Sequence, residues 1–465
     1  MCMAIVRNPA MREREDEELA IGRRQFGPAY RGVLLLLILL VSAFAFVDRV
    51  IVQTLAQPIK EDLGLTDFQL GLLGGLGFAI LYSTLGLPIA RMAERRDRIT
   101  IVSVSIAIFS VFSLLCGTAV NFWQLFACRI GVGIGEAGVQ APSASLIGDH
   151  FPPHRRGFAL TIMRLGAPVG SVFGSILGAW IARDYGWRVA LMAICGPGLL
   201  VALVFRLVLR DPPRGMSDPV VAAGAPAGPP RMGAVFALMF RRPAFRHMLI
   251  GLGLATMGLY AGGAFTAPFF MRVHGLGLPE AGLYLAIIST AASTAGMSLG
   301  GFGIDVIARR GERWYALLPF WGLVISVPLY LVGYALNSAV IGLIFITVAG
   351  IFLFFHSVPT LVAFQNMVAP NMRTTAAFVY FFVSTLIGVG LGPPLLGLLS
   401  DAYASAALPT GNFSTLCTGA RLTGACARAS ASGVRSALLT SVALYVWAAI
   451  HYWLAARAIA AETRA

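Results

Sequence analysis

The chain has 465 residues, of which 57% are hydrophobic and 12% charged, and its formal net charge is +14. Soluble domains run near 25% charged, and a globule of this length has too little interior to hide so much apolar sequence, which excludes a soluble protein. The positive balance does not indicate nucleic acid: of the 35 basic residues all but Lys60 are arginine, and most sit in short segments between apolar blocks rather than on a polar domain.

Residues 1–30 are polar, with an unbroken charged run from Arg12 to Glu18, and no apolar region with a cleavage site precedes the first apolar block. They read as a cytoplasmic tail and not as a signal peptide. Twelve apolar blocks follow: 33–55, 68–90, 99–119, 122–147, 157–182, 187–209, 246–271, 280–305, 314–335, 338–365, 374–400 and 435–457. Each is near the ~20 residues that cross a bilayer as a helix. A soluble helix would carry a polar face instead. The pattern predicts an all-α polytopic membrane protein with twelve transmembrane helices.

The longest interruption before the last loop, 210–245, holds Asp211-Pro212-Pro213 and a Pro/Gly/Ala run over 223–230. Such composition makes a linker. It separates a first six-helix bundle, 31–209, from a second, 246–458, leaving 459–465 as a short tail.

Basic residues set the expected orientation. With the amino terminus inside, the inner segments hold 24 arginines and the outer segments seven basic residues, which places both termini and the linker in the cytoplasm of an inner-membrane protein. The halves also repeat. Ala90, Glu94 and Arg98 follow the second block, and Gly301, Asp305 and Arg309 follow the eighth: a small residue, an acid four places on, and Arg four places after that. Paired six-helix halves of this kind are the layout of a large transporter class.

The loop after the second block, with Ala90, Glu94, Arg95 and Arg98, is similar to the conserved Gly-x-x-x-Asp-Arg-x-x-Arg loop of the major facilitator superfamily. It carries Ala for Gly and Glu for Asp. Arg129, Gly133, Gly135, Glu136 and Ala137 resemble that family's fourth-helix motif. Within the superfamily the chain resembles the bacterial spinster-like transporters. Phe46-Val47-Asp48-Arg49, Gly133-Ile134-Gly135-Glu136-Ala137, Pro370-Asn371-Met372-Arg373 and the stretch from Gly390 to Asp401 carry that resemblance. It implies the major facilitator fold: two pseudo-symmetric six-helix bundles. It also implies an inner gate in which Glu94, Arg95 and Arg98 of one half and Asp305 and Arg309 of the other tie the halves together. Eukaryotic relatives export lysolipids, which by analogy implies an amphiphilic substrate.

Charges inside spanning helices are costly, so each needs a reason. Asp48 and Arg49 lie roughly 20 Å from the inner end of the first block, and Arg129 roughly 10 Å from the outer end of the fourth, about the same depth. Glu136 is seven residues on, two turns along the same face. Facing carboxylates and guanidinium groups make a proton-exchange element, because a buried acid away from Arg holds a proton and one beside Arg releases it. The plain alternative is a permanent helix staple. A third reading gives Arg49 or Arg129 a phosphate or carboxylate of the substrate. Arg164, two turns into the fifth block, either snorkels to the cytoplasm or binds an anionic group. His356 and Gln365 in the tenth block are further candidates for the substrate cavity, with a packed core histidine as the alternative for the first. Gly166, Gly170, Gly174 and Gly178 recur every four residues, which brings a neighbouring helix close. Gly388 to Pro394 reads as a hinge.

No nucleotide-binding Gly-x-x-x-x-Gly-Lys run is present, so ATP hydrolysis is not expected. The six cysteines lack metal-ligand spacing, and neither a metal nor a cofactor is expected. Cys417 and Cys426 lie in the outer loop 401–434, which faces an oxidising compartment, and a disulfide between them is expected. The reading is a monomeric, non-enzymatic secondary transporter. It is proton-coupled, its partners are an amphiphilic solute, protons and the bilayer, and it binds no nucleic acid. An energy-independent facilitator and a non-transporting receptor on the same fold are the alternatives.

Overall fold

The computed structural model describes residues 26–93, 95–213, 216–217, 232–368, 373–408, 413–417 and 424–462, and among these no strand occurs. Helix α1 (Pro28–Thr54) starts with proline in its first turn, where the missing N–H leaves no bond unmade. A short helix, Ala56–Leu63, leads to α2 (Asp67–Ala93), which opens on a capping box of Thr66 and Gln69 and breaks at Gly75. Helix α3 (Arg98–Cys116) is capped by Asp97, whose carboxylate accepts from the Thr100 N–H.

The fourth block is not one helix. It divides into Phe122–Glu136 and Gln140–His150, together α4, with a turn after Glu136. Hydropathy does not register such a break, because the turn residues are themselves apolar or small. The next apolar run, Phe158–Val208, has 51 residues. At 1.5 Å per residue that is about 77 Å, more than twice the ~30 Å hydrocarbon core. It therefore holds two spans, α5 (153–185) and α6 (187–208), which reverse at Gly186 with φ 83° and ψ 162°.

The second half repeats the count: α7 (Pro243–His274), α8 (Leu278–Ile307), α9 (Trp314–Ala335), α10 (Ala339–Asn366), α11 (Ala376–Ala406) and α12 (Gly424–Glu462). Inside α11 a π-turn, Ser384–Val389, precedes Gly390, Pro393 and Pro394. The interdomain linker is not wholly irregular, since Met232–Arg241 is helical. Its Pro/Gly/Ala run lies outside the described residues. Cys417 and Cys426 are disulfide-bonded, joining the short helix Phe413–Leu416 to the first turn of α12.

Each half has its own core. Ile38, Val41, Phe78, Phe109 and Val132 meet in the first, and Phe245, Leu252, Phe265, Leu323 and Tyr452 in the second. Leu207 and Phe302 are each 74% exposed, and Trp123 73%. Such apolar surface on every side is stable only against lipid tails. The chain is a multi-pass membrane protein of twelve spans in two bundles, α1–α6 and α7–α12. The end holding Pro28, Pro243 and Glu462 is termed inner, after the arginine distribution, and the opposite end outer.

Candidate functional site

Glycines bring α1 into the site. A Cβ on Gly166 would stand 2.4 Å from the Ser42 Cβ, and one on Gly170 2.3 Å from the Ala43 carbonyl oxygen. Helix α5 therefore packs its backbone onto the turns of α1 that lead to Asp48 and Arg49. Gly133 and Gly135 do the same for α4, since added Cβ atoms there would meet the Phe78 carbonyl oxygen and the Phe109 nitrogen at 2.5 Å. The close approach sets Arg129 and Glu136 opposite Asp48 and Arg49.

Two ion pairs result. Arg129 donates through Nη1 to Asp48 Oδ2 at 2.6 Å, and the Ser113 hydroxyl of α3 donates to Asp48 Oδ1. Arg129 also donates through Nε to the Leu73 carbonyl at 3.4 Å, in the turn just before the break of α2. Asp48 and Arg129 are 1% and 2% exposed, so this pair is sealed from any solvent. The second pair differs. Arg49 donates through Nε to Glu136 Oε2 at 2.7 Å, and its Nη2 stands 2.5 Å from the same oxygen. The Glu136 side chain is 1% exposed but Arg49 22%, so the guanidinium forms the open side. It lies over the rings of Phe46, Phe78 and Tyr82 at 5.3, 4.6 and 4.9 Å. Glu136 Oε1 is buried and has no hydrogen-bond partner among the described residues.

Arg164 is exposed and makes no ion pair among the described residues. Gln365 is half-buried. His356 is corrected: it is 1% exposed, and its Nδ1 donates to the Leu353 carbonyl at 2.6 Å within its own helix. It is a packed core histidine and lines no opening.

The inner-gate residues fare differently. Glu94 lies outside the described residues. Arg95, Asp305 and Arg309 are exposed. Arg98 does not reach the second half. Fully buried, it donates to Asp149, to Asp211 at 2.7 Å, to Ser145 Oγ at 2.9 Å and to the Pro212 carbonyl at 3.1 Å, all in or just after the first bundle. It staples the inner ends of α3, α4 and α6. The repeat in sequence gave no sign of this, because its acceptors are up to 114 residues away.

Hydrogen bonds and ion pairs found to cross between the halves among the described residues gather at the outer end. Arg272, the third-last residue of α7, donates to Asp67 Oδ2 and Oδ1 at 2.7 and 2.8 Å and to Gln57 Oε1 at 2.6 Å. Ser400 donates to Asp67 Oδ2 at 2.6 Å, and Lys60 Nζ stands 2.5 Å from Oδ1. Burial holds the Lys60 ammonium below its ordinary range, and the Asp67 charge opposes that shift. Asp401 accepts from the N–H groups of Asp67 and Phe68, at the N-terminus of α2. Backbones touch here too: a Cβ on Gly397 would lie 2.1 Å from the Asp67 carbonyl oxygen, and one on Gly282 2.7 Å from that of Ser175. Sequence reading missed Asp67, Gln57 and Arg272. The available signal was an acid at the very start of an apolar block.

The comparisons with known proteins agree with this architecture. Residues 38–393 match the profile of the Major Facilitator Superfamily. The chain is 27% identical over 416 residues to an MFS-type efflux pump of Mycolicibacterium smegmatis, covering 90% of each. It is 27% identical to Protein spinster homolog 1 of Mus musculus, over 78% of this chain and 71% of the mouse protein. Its fold superposes with a TM-score of 0.85 and 32% identity on the crystal structure of a bacterial homolog to the human lysosomal transporter spinster, in an inward-facing and unoccupied conformation, covering 94% and 99% of the two chains. The chain belongs to the major facilitator superfamily, in its spinster-like branch, and is a transporter rather than an enzyme.

Proposed function

We propose that this protein couples proton movement to the transport of an amphiphilic organic anion across the inner membrane by alternating access, with Asp48 and Glu136 as the proton carriers. The observation that carries the reading is the Arg49–Glu136 pair. One carboxylate oxygen is held by Arg49, the other is buried without a partner, and Arg49 is the only member of the two pairs with substantial exposure. A proton on Glu136 Oε1 would meet no competing donor. It would loosen the hold on Arg49, whose charge then turns to the cavity. An anionic solute drawn to Arg49 leaves Glu136 without its counter-charge, and a buried carboxylate in that condition takes up a proton. The solute anion and the Glu136 carboxylate thus compete for one guanidinium, so solute binding and proton uptake favour each other, which is a basis for coupling.

The aromatic walls of Phe46, Phe78 and Tyr82 suit an apolar chain, and Arg164 suits an anionic headgroup. A scaffold would gain nothing from four intramembrane charges. The test is flux in proteoliposomes under a pH gradient, with a fluorescent lysophospholipid as solute. Asp48→Asn or Glu136→Gln should abolish pH-driven accumulation while leaving solute binding in place. Undiminished accumulation by both variants would return the pairs to the role of permanent staples. Transport by the parent that ignores the gradient would favour the facilitator.

A further inference from the structure

At its inner end the second bundle holds a cavity of about 520 Å³ that the transport cycle above does not use. Its walls come from the linker helix Met232–Arg241, the starts of α7 and α9, and the ends of α10 and α12. Apolar contacts dock the linker helix there. Met239 is buried in the core of the bundle, and the rings of Phe240 and Phe245 meet at 5.4 Å. This places Leu238, Arg241 and the adjoining Arg242 on the cavity. Glu312, just before α9, and Glu462, the last residue of α12, line it as well. Among the described residues neither arginine makes an ion pair with either carboxylate. Glu462 Oε1 accepts only the Ala244 N–H, at 3.4 Å. The walls are layered in polarity. Glu462 and Asn366 end their helices, while Ile459 and Ala363, three residues earlier on each, are buried. One helical turn, about 4.5 Å at 1.5 Å per residue, separates a polar rim from an apolar floor.

We propose that this cavity binds a zwitterionic phospholipid of the inner leaflet, one whose headgroup carries a phosphate and a primary ammonium. Arg241 and Arg242 hold the phosphate, since guanidinium groups donate charge-assisted hydrogen bonds to its oxygens. Glu312 and Glu462 hold the ammonium, which has three N–H groups to donate. Two cations and two carboxylates leave the rim without net charge. A headgroup with both charges satisfies all four groups. A purely anionic headgroup is drawn to the arginines and repelled by the glutamates. A quaternary ammonium keeps the charge but has no N–H to give the carboxylates. The floor of Ile459 and Ala363, with Leu238 and Met367 beside it, takes the glycerol backbone and the first methylenes of an acyl chain. A free solute would leave that apolar floor against water. The rim stands at the helix ends, the level at which headgroups lie. The volume falls within the roughly 300–1,000 Å³ of ligand pockets. A bound lipid ties the linker helix to α9 and α12. The site is remote in sequence from Arg49 and Glu136, and the inference does not rest on the proposed coupling.

The experiment uses the full chain, delipidated in detergent and then titrated with single lipids under native mass spectrometry. Phosphatidylethanolamine should occupy one tight site, with phosphatidylglycerol and phosphatidylcholine bound about tenfold more weakly there. Glu312→Gln should weaken phosphatidylethanolamine and tighten phosphatidylglycerol, because it removes one repelling charge. Arg241→Gln should weaken both. Both residues are exposed, so the lipid-free variants should unfold at the parent temperature. Glu462→Gln should act as Glu312→Gln does, which guards against a folding defect in one variant. A phosphatidylethanolamine with a photoreactive group high on one acyl chain should label the peptides that hold Leu238, Met367 or Ile459. Labelling confined to other peptides would overturn the site. Equal binding of the three lipids, or a preference untouched by Glu312→Gln and Glu462→Gln, would overturn the zwitterionic reading. Displacement of the lipid by equimolar glycerophosphoethanolamine would make the cavity a solute site and overturn the lipid. None of these readings involves a pH gradient, so their failure is distinct from failure of proton coupling.

Discussion

Arg272 holds both carboxylate oxygens of Asp67 across the two halves, 205 residues apart in sequence and both nearly inaccessible, at 5% and 2% side-chain exposure. Without Arg272, Asp67 keeps its Lys60 ion pair and the Ser400 hydroxyl, so the cost stays below the about 3–5 kcal/mol of a buried charge stripped of its partner. That cost falls only on the conformation with its outer end closed. Arg272→Ala should therefore shift the population toward outward-open states. Spin labels at Tyr185 and Leu283, exposed at the outer ends of α5 and α8, read this as a longer distance in the variant. An unchanged distance distribution would remove Asp67 and Arg272 from the gate.

Arg129 and Asp48 call for a different measurement, because their pair lies within one half. Arg129→Ala should lower stability by about 3–5 kcal/mol, since Asp48 then keeps only neutral partners, the Ser113 hydroxyl and the Cys195 thiol. Adding Asp48→Asn should restore most of that loss by removing the stranded charge, without restoring pH-driven flux. Thermal unfolding in detergent, run beside the flux assay, separates the two effects. If the double variant regained coupling, neither residue would be a proton carrier.

The spans were legible because each hydrophobic block is long enough to cross and too apolar to do anything else. The four intramembrane charges were legible as a set from their shared depth, but not in their pairing. Asp48 meets Arg129 and Arg49 meets Glu136 because adjacent residues on α1 point about 100° apart, and only the packing of α4 decides which faces which. Arg98 illustrates the opposite error. Its loop motif suggested a tie between halves, while its acceptors Asp149, in the last turn of α4, and Asp211, just after α6, belong to the same half. Asp67 and Arg272 carry no local pattern, so their meeting is a property of the closed outer end rather than of either segment.

That placement of Arg98 has a testable consequence. A fully buried guanidinium with two carboxylates, a hydroxyl and a carbonyl is a structural hub. Arg98→Ala should lower the melting temperature and the yield of folded protein, because it removes the buried guanidinium that ties Asp149, Asp211, Ser145 and the Pro212 carbonyl together. Lysine in its place should recover little, since one ammonium cannot serve four acceptors in a plane. The outer spin-label distance should stay at the parent value in whatever folds. A shift toward inward-open states without loss of stability would restore Arg98 to the inner gate.

Arg164 decides what the cavity accepts. It lies in α5 at about 17 Å from that helix's start, since the helix opens at Pro153. It is exposed, and no carboxylate among the described residues pairs with it. A guanidinium kept at that depth without a counter-charge is disfavoured unless an anion visits it. A charge-assisted hydrogen bond contributes about 1.5–3 kcal/mol, so Arg164→Gln should weaken binding of a lysophosphatidate by about tenfold or more. Binding of a monoacylglycerol with the same chain should hardly change, because its neutral head gains nothing from the charge. Arg164→Lys should fall between, keeping the charge and losing the fork. Equilibrium binding in nanodiscs without a pH gradient measures this ratio apart from coupling. Equal losses for both lipids would mean that Arg164 shapes the cavity and does not read the headgroup.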